Sequence, residues 1–97
     1  MQRALPLDRV AQGDAMVLIR GQQFLPDTVR VRPGQAVTWV NCEAPGADPH
    51  TSTSMTGVWD SPLLQRADFY TRTFATAGTF SYTCIPHPHM RGVVLVL

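Results

Sequence analysis

Apolar and polar residues alternate in short blocks along most of this chain. In residues 28–32, Val29 and Val31 stand against Thr28, Arg30 and Arg32, the period of two that marks a half-buried strand. Residues 79–84 repeat it, with Phe80, Tyr82 and Cys84 on one side, so the pattern turns Cys84 inward with the aromatics. Strands are also predicted over 15–20, 36–41 and 67–74, and 50–54 is β-prone through its threonines. The unbroken apolar run at 92–97 predicts a final strand buried on both faces. Turn residues separate these blocks: Pro33-Gly34, Ala77-Gly78, and a polar loop over 42–49 holding Pro45, Gly46 and Pro49. Residues 55–66 carry Gly57 and Pro62 and keep no apolar period, which predicts a long connection with one helical turn near 63–66. The prolines in 85–91 rule out regular structure there.

Short strands punctuated this densely predict an all-β fold, a Greek-key β-sandwich or small barrel of about seven to eight strands. With 97 residues the chain makes a single domain, residues 1–97. An apolar share of 44% with 15% charged residues excludes intrinsic disorder, and 8 Pro with 7 Gly argue against long helices. All eight basic residues are arginines, spread from Arg3 to Arg91 without a run, and the net charge is +1. No basic stripe marks a nucleic-acid partner. No continuous apolar run, that of 93–97 included, approaches the roughly 18–20 residues that span a bilayer, so no membrane span is expected. Residues 1–14 lack the apolar centre of a secretory leader, which reads either as a chain that stays in the cytoplasm or as a mature or excised domain.

The candidate chemistry is concentrated in Cys84-Ile85-Pro86-His87-Pro88-His89-Met90, with His50 the remaining histidine. Taken singly, these residues have ordinary readings: Met90 a core filler, His50 a surface residue, Cys84 a buried hydrophobe or the disulfide partner of Cys42. Together, a thiolate, two imidazoles and a thioether suit a blue-copper site, trigonal in its Cys and His donors with a long axial Met bond. A strand delivers Cys84 at its end, two residues let the loop curl back to His87, and Met90 returns as the last strand begins. His87 is the better donor of the loop pair, because His89 leaves no room before Met90 for both to reach one ion. Pro86 and Pro88 fix φ and stiffen the loop.

These residues resemble the cupredoxins, the plastocyanin and azurin family. The resemblance runs from about Phe24 to Leu97 and rests on Val31-Arg32-Pro33-Gly34 with Val37-Thr38-Trp39-Val40-Asn41, on Pro49-His50-Thr51, on 77–84, and on His87 with Met90-Arg91-Gly92. The ligand loop is similar to the short loop of the amicyanin group. The resemblance implies a two-sheet sandwich with one type 1 copper ion at one end, held by His50, Cys84, His87 and Met90. It implies an electron-transfer protein and not an enzyme, a monomer that meets redox proteins transiently, in the periplasm or another extracytoplasmic compartment. The rival readings are copper storage or delivery, a cupredoxin module of a larger oxidoreductase, and a copper-free sandwich stapled by Cys42 and Cys84. The His87 edge is expected to reach solvent through an apolar rim including Pro86 and Pro88, with His89 and Arg91 tuning the partner. Thr51 stands where many members carry Asn, which keeps the backbone donor to the cysteine sulfur but implies a weaker side-chain tie between loops. The 42–49 loop is longer than in the amicyanin group, and Cys42, outside the ligand positions, is read as an inert thiol.

Overall fold

The computed structural model of the protein describes Leu5 and residues 12–97; the reading of the polar start falls largely on residues 1–4 and 6–11, outside the described residues. In chain order the strands are β1 (Ala15–Arg20), β2 (Gln23–Leu25), β3 (Thr28–Val31), β4 (Gln35–Asn41), β5 (Thr53–Ser54), β6 (Phe69–Phe74), β7 (Gly78–Thr83) and β8 (Arg91–Val96). They form two four-stranded sheets, ordered β2-β1-β4-β6 and β3-β8-β7-β5. The pairs β1/β4 and β3/β8 run parallel, so the chain must leave a sheet and return to it. It does so by crossing to the opposite sheet after β2, β3, β4, β5 and β6. The all-β sandwich expected from the alternation is what forms.

The period of two decides what is inside. Val17 and Ile19 of β1, Val37 and Trp39 of β4, Val29 and Val31 of β3, Tyr82 of β7, and Val94 and Val96 of β8 close the core between the sheets. Trp39 sits at its centre, with ring centroids 5.3 Å from Tyr82, 5.8 Å from Trp59 and 6.1 Å from Tyr70. Such aromatic pairs add about 0.5–1.5 kcal/mol each beyond area burial. They fix β7, and with it the direction in which the next inward residue, Cys84, points.

Four local expectations need correction. The last strand alternates, with Gly92, Val94 and Val96 buried and Val93 and Leu95 half-buried, because a two-layer sandwich covers only one face of each sheet. Strand β2 was not legible in the pattern. It follows a two-residue turn, Gly21 (φ 61°) and Gln22 (φ 55°), whose left-handed pair is the hairpin geometry that twists with the flanking strands. Of residues 50–54, only Thr53–Ser54 is strand, while His50 forms an isolated bridge to Leu64. That bridge holds the chain extended where a helical turn was expected. The turn comes later, closed by Asp68 N–H on the Gln65 carbonyl at 2.9 Å, and Ala67 (φ 74°) delays β6 to Phe69.

Gly92 faces Tyr82 across β7 and β8, and any side chain there would run into the tyrosine ring. Enclosed in this way, Tyr82 has its hydroxyl pushed by burial well above the ordinary value of 10.0. A folded-state pKa above the unfolded one gives stability that is complete below the unfolded value and is lost as pH rises past it. Alkaline ultraviolet titration is therefore expected to give the same curve for the native protein and for Tyr82→Phe until the fold opens. Ionisation of Tyr82 in the ordinary range, with the far-ultraviolet dichroism intact, would contradict this.

Candidate metal centre

The strand alternation that buries Tyr82 carries one step past β7 and buries Cys84 completely. Two linked turns then bring the chain round. His87 N–H donates to the Cys84 carbonyl at 3.2 Å and Met90 N–H to the His87 carbonyl at 2.9 Å, while Thr83 Oγ1 donates to the Met90 carbonyl at 2.8 Å. The φ-locked Pro86 and Pro88 sit inside these turns. His50 arrives from the other side of the sandwich mouth, held by reciprocal backbone bonds with Leu64 of 3.1 and 2.7 Å.

Three donor atoms meet here. Cys84 Sγ lies 3.5 Å from His50 Nδ1 and 3.6 Å from His87 Nδ1, and the three atoms lie within 4.8 Å of one another. An ion bonded to sulfur at about 2.3 Å and to imidazole nitrogen at about 2.0–2.1 Å in a trigonal plane needs S···N edges of about 3.7 Å. The donors are therefore spaced for one small, thiophilic ion. Thr51 N–H donates to the same sulfur at 3.4 Å. Met90 is buried and lines the same groove as His50.

Both imidazoles turn Nδ1 toward the sulfur, and each has a carboxylate at its other nitrogen. Glu43 Oε2 lies 2.7 Å from His50 Nε2, and Asp48 Oδ2 lies 3.3 Å from His87 Nε2. Glu43 is itself buried and accepts the Gly21 and Gln22 N–H groups at 2.7 and 3.0 Å. The left-handed turn exposes those two donors, so β2, absent from the sequence reading, serves the site. Burial alone would raise the Glu43 pKa, but the N–H groups of Gln22 and Gly21 and the His50 ring outweigh it and hold the carboxyl below its ordinary value. Carboxylates that accept from the outer nitrogen of a ligating histidine fix its tautomer and its ring orientation.

His50, Cys84 and His87 thus come together as expected, and His89 does not join them. It is exposed, its ring 6.1 Å from that of His87. Cys42 and Cys84 are both free, which removes the disulfide reading, and Cys42 is partly buried outside the donor group. Thr51 ties the two loops by one bond, its Oγ1 accepting the Ile85 N–H at 2.9 Å, and it also meets Thr53 Oγ1 on its own segment at 2.9 Å. Beside His87 stand exposed apolar residues, Pro86 and Pro88 on either side of it in the chain and Ile85, 58% exposed, before them. Glu43 and Asp48 escaped the sequence reading because no spacing rule ties an acidic residue to a histidine brought near it by the fold.

Comparison with known proteins agrees with this geometry. A family model described as copper binding proteins, plastocyanin/azurin family, matches residues 11–97. Amicyanin of Paracoccus denitrificans is 36% identical over 89 residues, which is 90% of this chain and 68% of that one. Amicyanin-alpha of Methylorubrum extorquens is 37% identical over 87 residues, 87% of this chain and 72% of that one. Among solved structures, the Cu(I) form of an amicyanin mutant aligns with a TM-score of 0.79 at 36% identity, covering 88% of this chain and 83% of that one.

Proposed function

We infer that this chain, which belongs to the plastocyanin/azurin family of copper-binding proteins, carries single electrons between redox proteins on one type 1 copper ion. The observation that carries the reading is the convergence of Cys84 Sγ, His50 Nδ1 and His87 Nδ1 at the spacing of one small ion. These three residues would hold the ion, with Met90 as the fourth donor, axial in the reading of the sequence. Bound there, copper supplies a one-electron Cu(I)/Cu(II) couple. The protein contributes a closed set of donors held before the metal arrives: Cys84 and His50 are fully buried, and His87 is 14% exposed. Ligands tied to backbone and carboxylates shift little between oxidation states, which lowers the cost of each transfer. The same closure leaves no open position for a substrate, in keeping with an electron carrier and not an enzyme. A rigid, buried set also argues against a protein built to hand copper over.

The His87 ring is the shortest way out, and the apolar rim of Ile85, Pro86 and Pro88 suits small, transient docking of a redox partner. We assign the protein to the periplasm or another extracytoplasmic compartment, as a monomer, on its likeness to the amicyanins. No helix of the described residues is long and apolar enough to cross a membrane. Addition of Cu(II) to the purified protein is expected to give an intense blue form that bleaches reversibly with reductant. A colourless copper adduct would refute the reading. Met90→Leu tests the axial assignment: copper and colour should persist, and the potential should rise by about 60 mV or more, a tenfold shift in preference toward Cu(I). Complete loss of copper from that variant would show that Met90 holds the ion and does not merely tune it.

A further inference from the structure

We propose that Asp48 is a positioning residue for the exposed ligand, holding the His87 ring through its outer nitrogen and drawing the copper toward Cu(II). The proposal rests on the copper reading above. His87 is the less secured of the two imidazoles, being partly exposed and carried on a loop closed by backbone turns. Its Nδ1 faces the sulfur at 3.6 Å; with that atom on the ion the ring proton would sit on Nε2, and Asp48 Oδ2 lies 3.3 Å from Nε2. Turning the ring about Cβ–Cγ to withdraw Nδ1 would break that contact.

Asp48 is 69% exposed, but its backbone is not adrift. The loop that carries it is tied at one end by Glu43 on the β1–β2 turn and at the other by His50 on Leu64, with Ala47 N–H closing an inner turn on the Ala44 carbonyl at 3.2 Å. One loop therefore serves both imidazoles: a buried carboxylate for His50, and a solvent-facing one for His87. The other charged or titratable groups of the adjoining groove are Asp27, Glu43, His50, His89 and Arg91, and Arg91 is engaged with the Pro88 carbonyl through Nε at 3.4 Å. Asp48 is the carboxylate placed on the ring edge by which electrons leave. An exposed pair is weak and screened by salt, so the effect should be modest and should shrink as ionic strength rises.

The test uses the copper-loaded protein, with Asp48→Ala and Asp48→Glu. Both variants should keep the blue band. In the diamagnetic Cu(I) form, exchange of the His87 Nε2–H with solvent, followed by nitrogen-edited NMR, should speed about tenfold or more in Asp48→Ala. The His50 Nε2–H, held by Glu43, should be unchanged and serves as the internal control. Preference for Cu(I) should rise about threefold, about 30 mV at 59 mV per tenfold for one electron. Asp48→Glu should restore much of both. Unchanged His87 exchange or an unchanged potential in Asp48→Ala, with the band and the His50 signal intact, would overturn the proposal. A native protein that takes up no copper to give a blue form would overturn the copper reading instead.

Discussion

Cys84→Ser is expected to abolish the blue colour completely while leaving the sandwich folded. The thiolate is the soft, covalent donor of the proposed set, and a serine hydroxyl is neither ionised at neutral pH nor thiophilic, so the charge-transfer band has no source without it. Structure should survive because the substitution is small. Cys84 is fully buried, but its neighbour Thr51 already points an N–H at the sulfur position, giving a serine oxygen an acceptor role there. Burying the hydroxyl then costs about 1–3 kcal/mol at most, which in a domain of this size lowers the apo melting temperature by about 4–24 °C. Cys42→Ser is the paired control. Cys42 lies outside the donor group, so that variant should stay blue. The opposite pattern, a blue Cys84→Ser and a colourless Cys42→Ser, would overturn the ligand assignment.

What the sequence made legible follows from which forces act locally. The alternation in 79–84 is a local property, and it placed Cys84 inward; the same argument located β3, and β-prone residues between turn residues located β1, β4 and β6, each to within a residue or two. The C-x-x-H-x-x-M spacing is also local, since turn geometry alone brings residues three apart together. His50 was reachable as the remaining histidine and through the resemblance at Pro49-His50-Thr51, not from a local period, its place being set by a bridge to Leu64 across a loop. The second layer of the site was out of reach. Glu43 meets His50 and the turn at Gly21-Gln22 because β1 and β4 pair in parallel, with Ile19 beside Asn41, and nothing in the spacing of residues 21, 43 and 50 announces that register. Gln22 in a left-handed conformation is equally silent, because glutamine carries no turn signal. The 92–97 run misled for a related reason: Val93 and Leu95 are apolar on a face the fold leaves half open.

That second layer makes Glu43→Ala a damaging change outside the ligands themselves. Three donors converge on this carboxylate: Gly21 N–H on Oε1 at 2.7 Å, and Gln22 N–H and His50 Nε2 on Oε2 at 3.0 and 2.7 Å. Removing the acceptor strands the buried His50 Nε2, while the Gly21 and Gln22 N–H groups lie in an exposed turn that water can reach, and one buried donor left unsatisfied costs about 1–3 kcal/mol. At about 4–8 °C per kcal/mol, the apo protein should melt about 4–24 °C lower, and the β1–β2 hairpin should lose its hydrogen-exchange protection first. Glu43→Gln separates charge from shape. Its amide fills the same volume, but its NH₂ must face one of the N–H donors, so stability should fall part of the way toward the alanine variant. In the copper-loaded Gln variant two further effects are expected. Loss of the carboxylate behind His50 should weaken copper binding about 10–100-fold, as removal of such outer partners does elsewhere. Loss of its negative charge should favour Cu(I), so the reduction potential should rise, and by more than in Asp48→Ala, because Glu43 is buried where water screens least. Calorimetry of the apo forms and voltammetry of the loaded ones check both. A Glu43→Gln protein with native melting temperature and native potential would mean that Glu43 fills space in the β1–β2 turn and neither orients nor tunes His50.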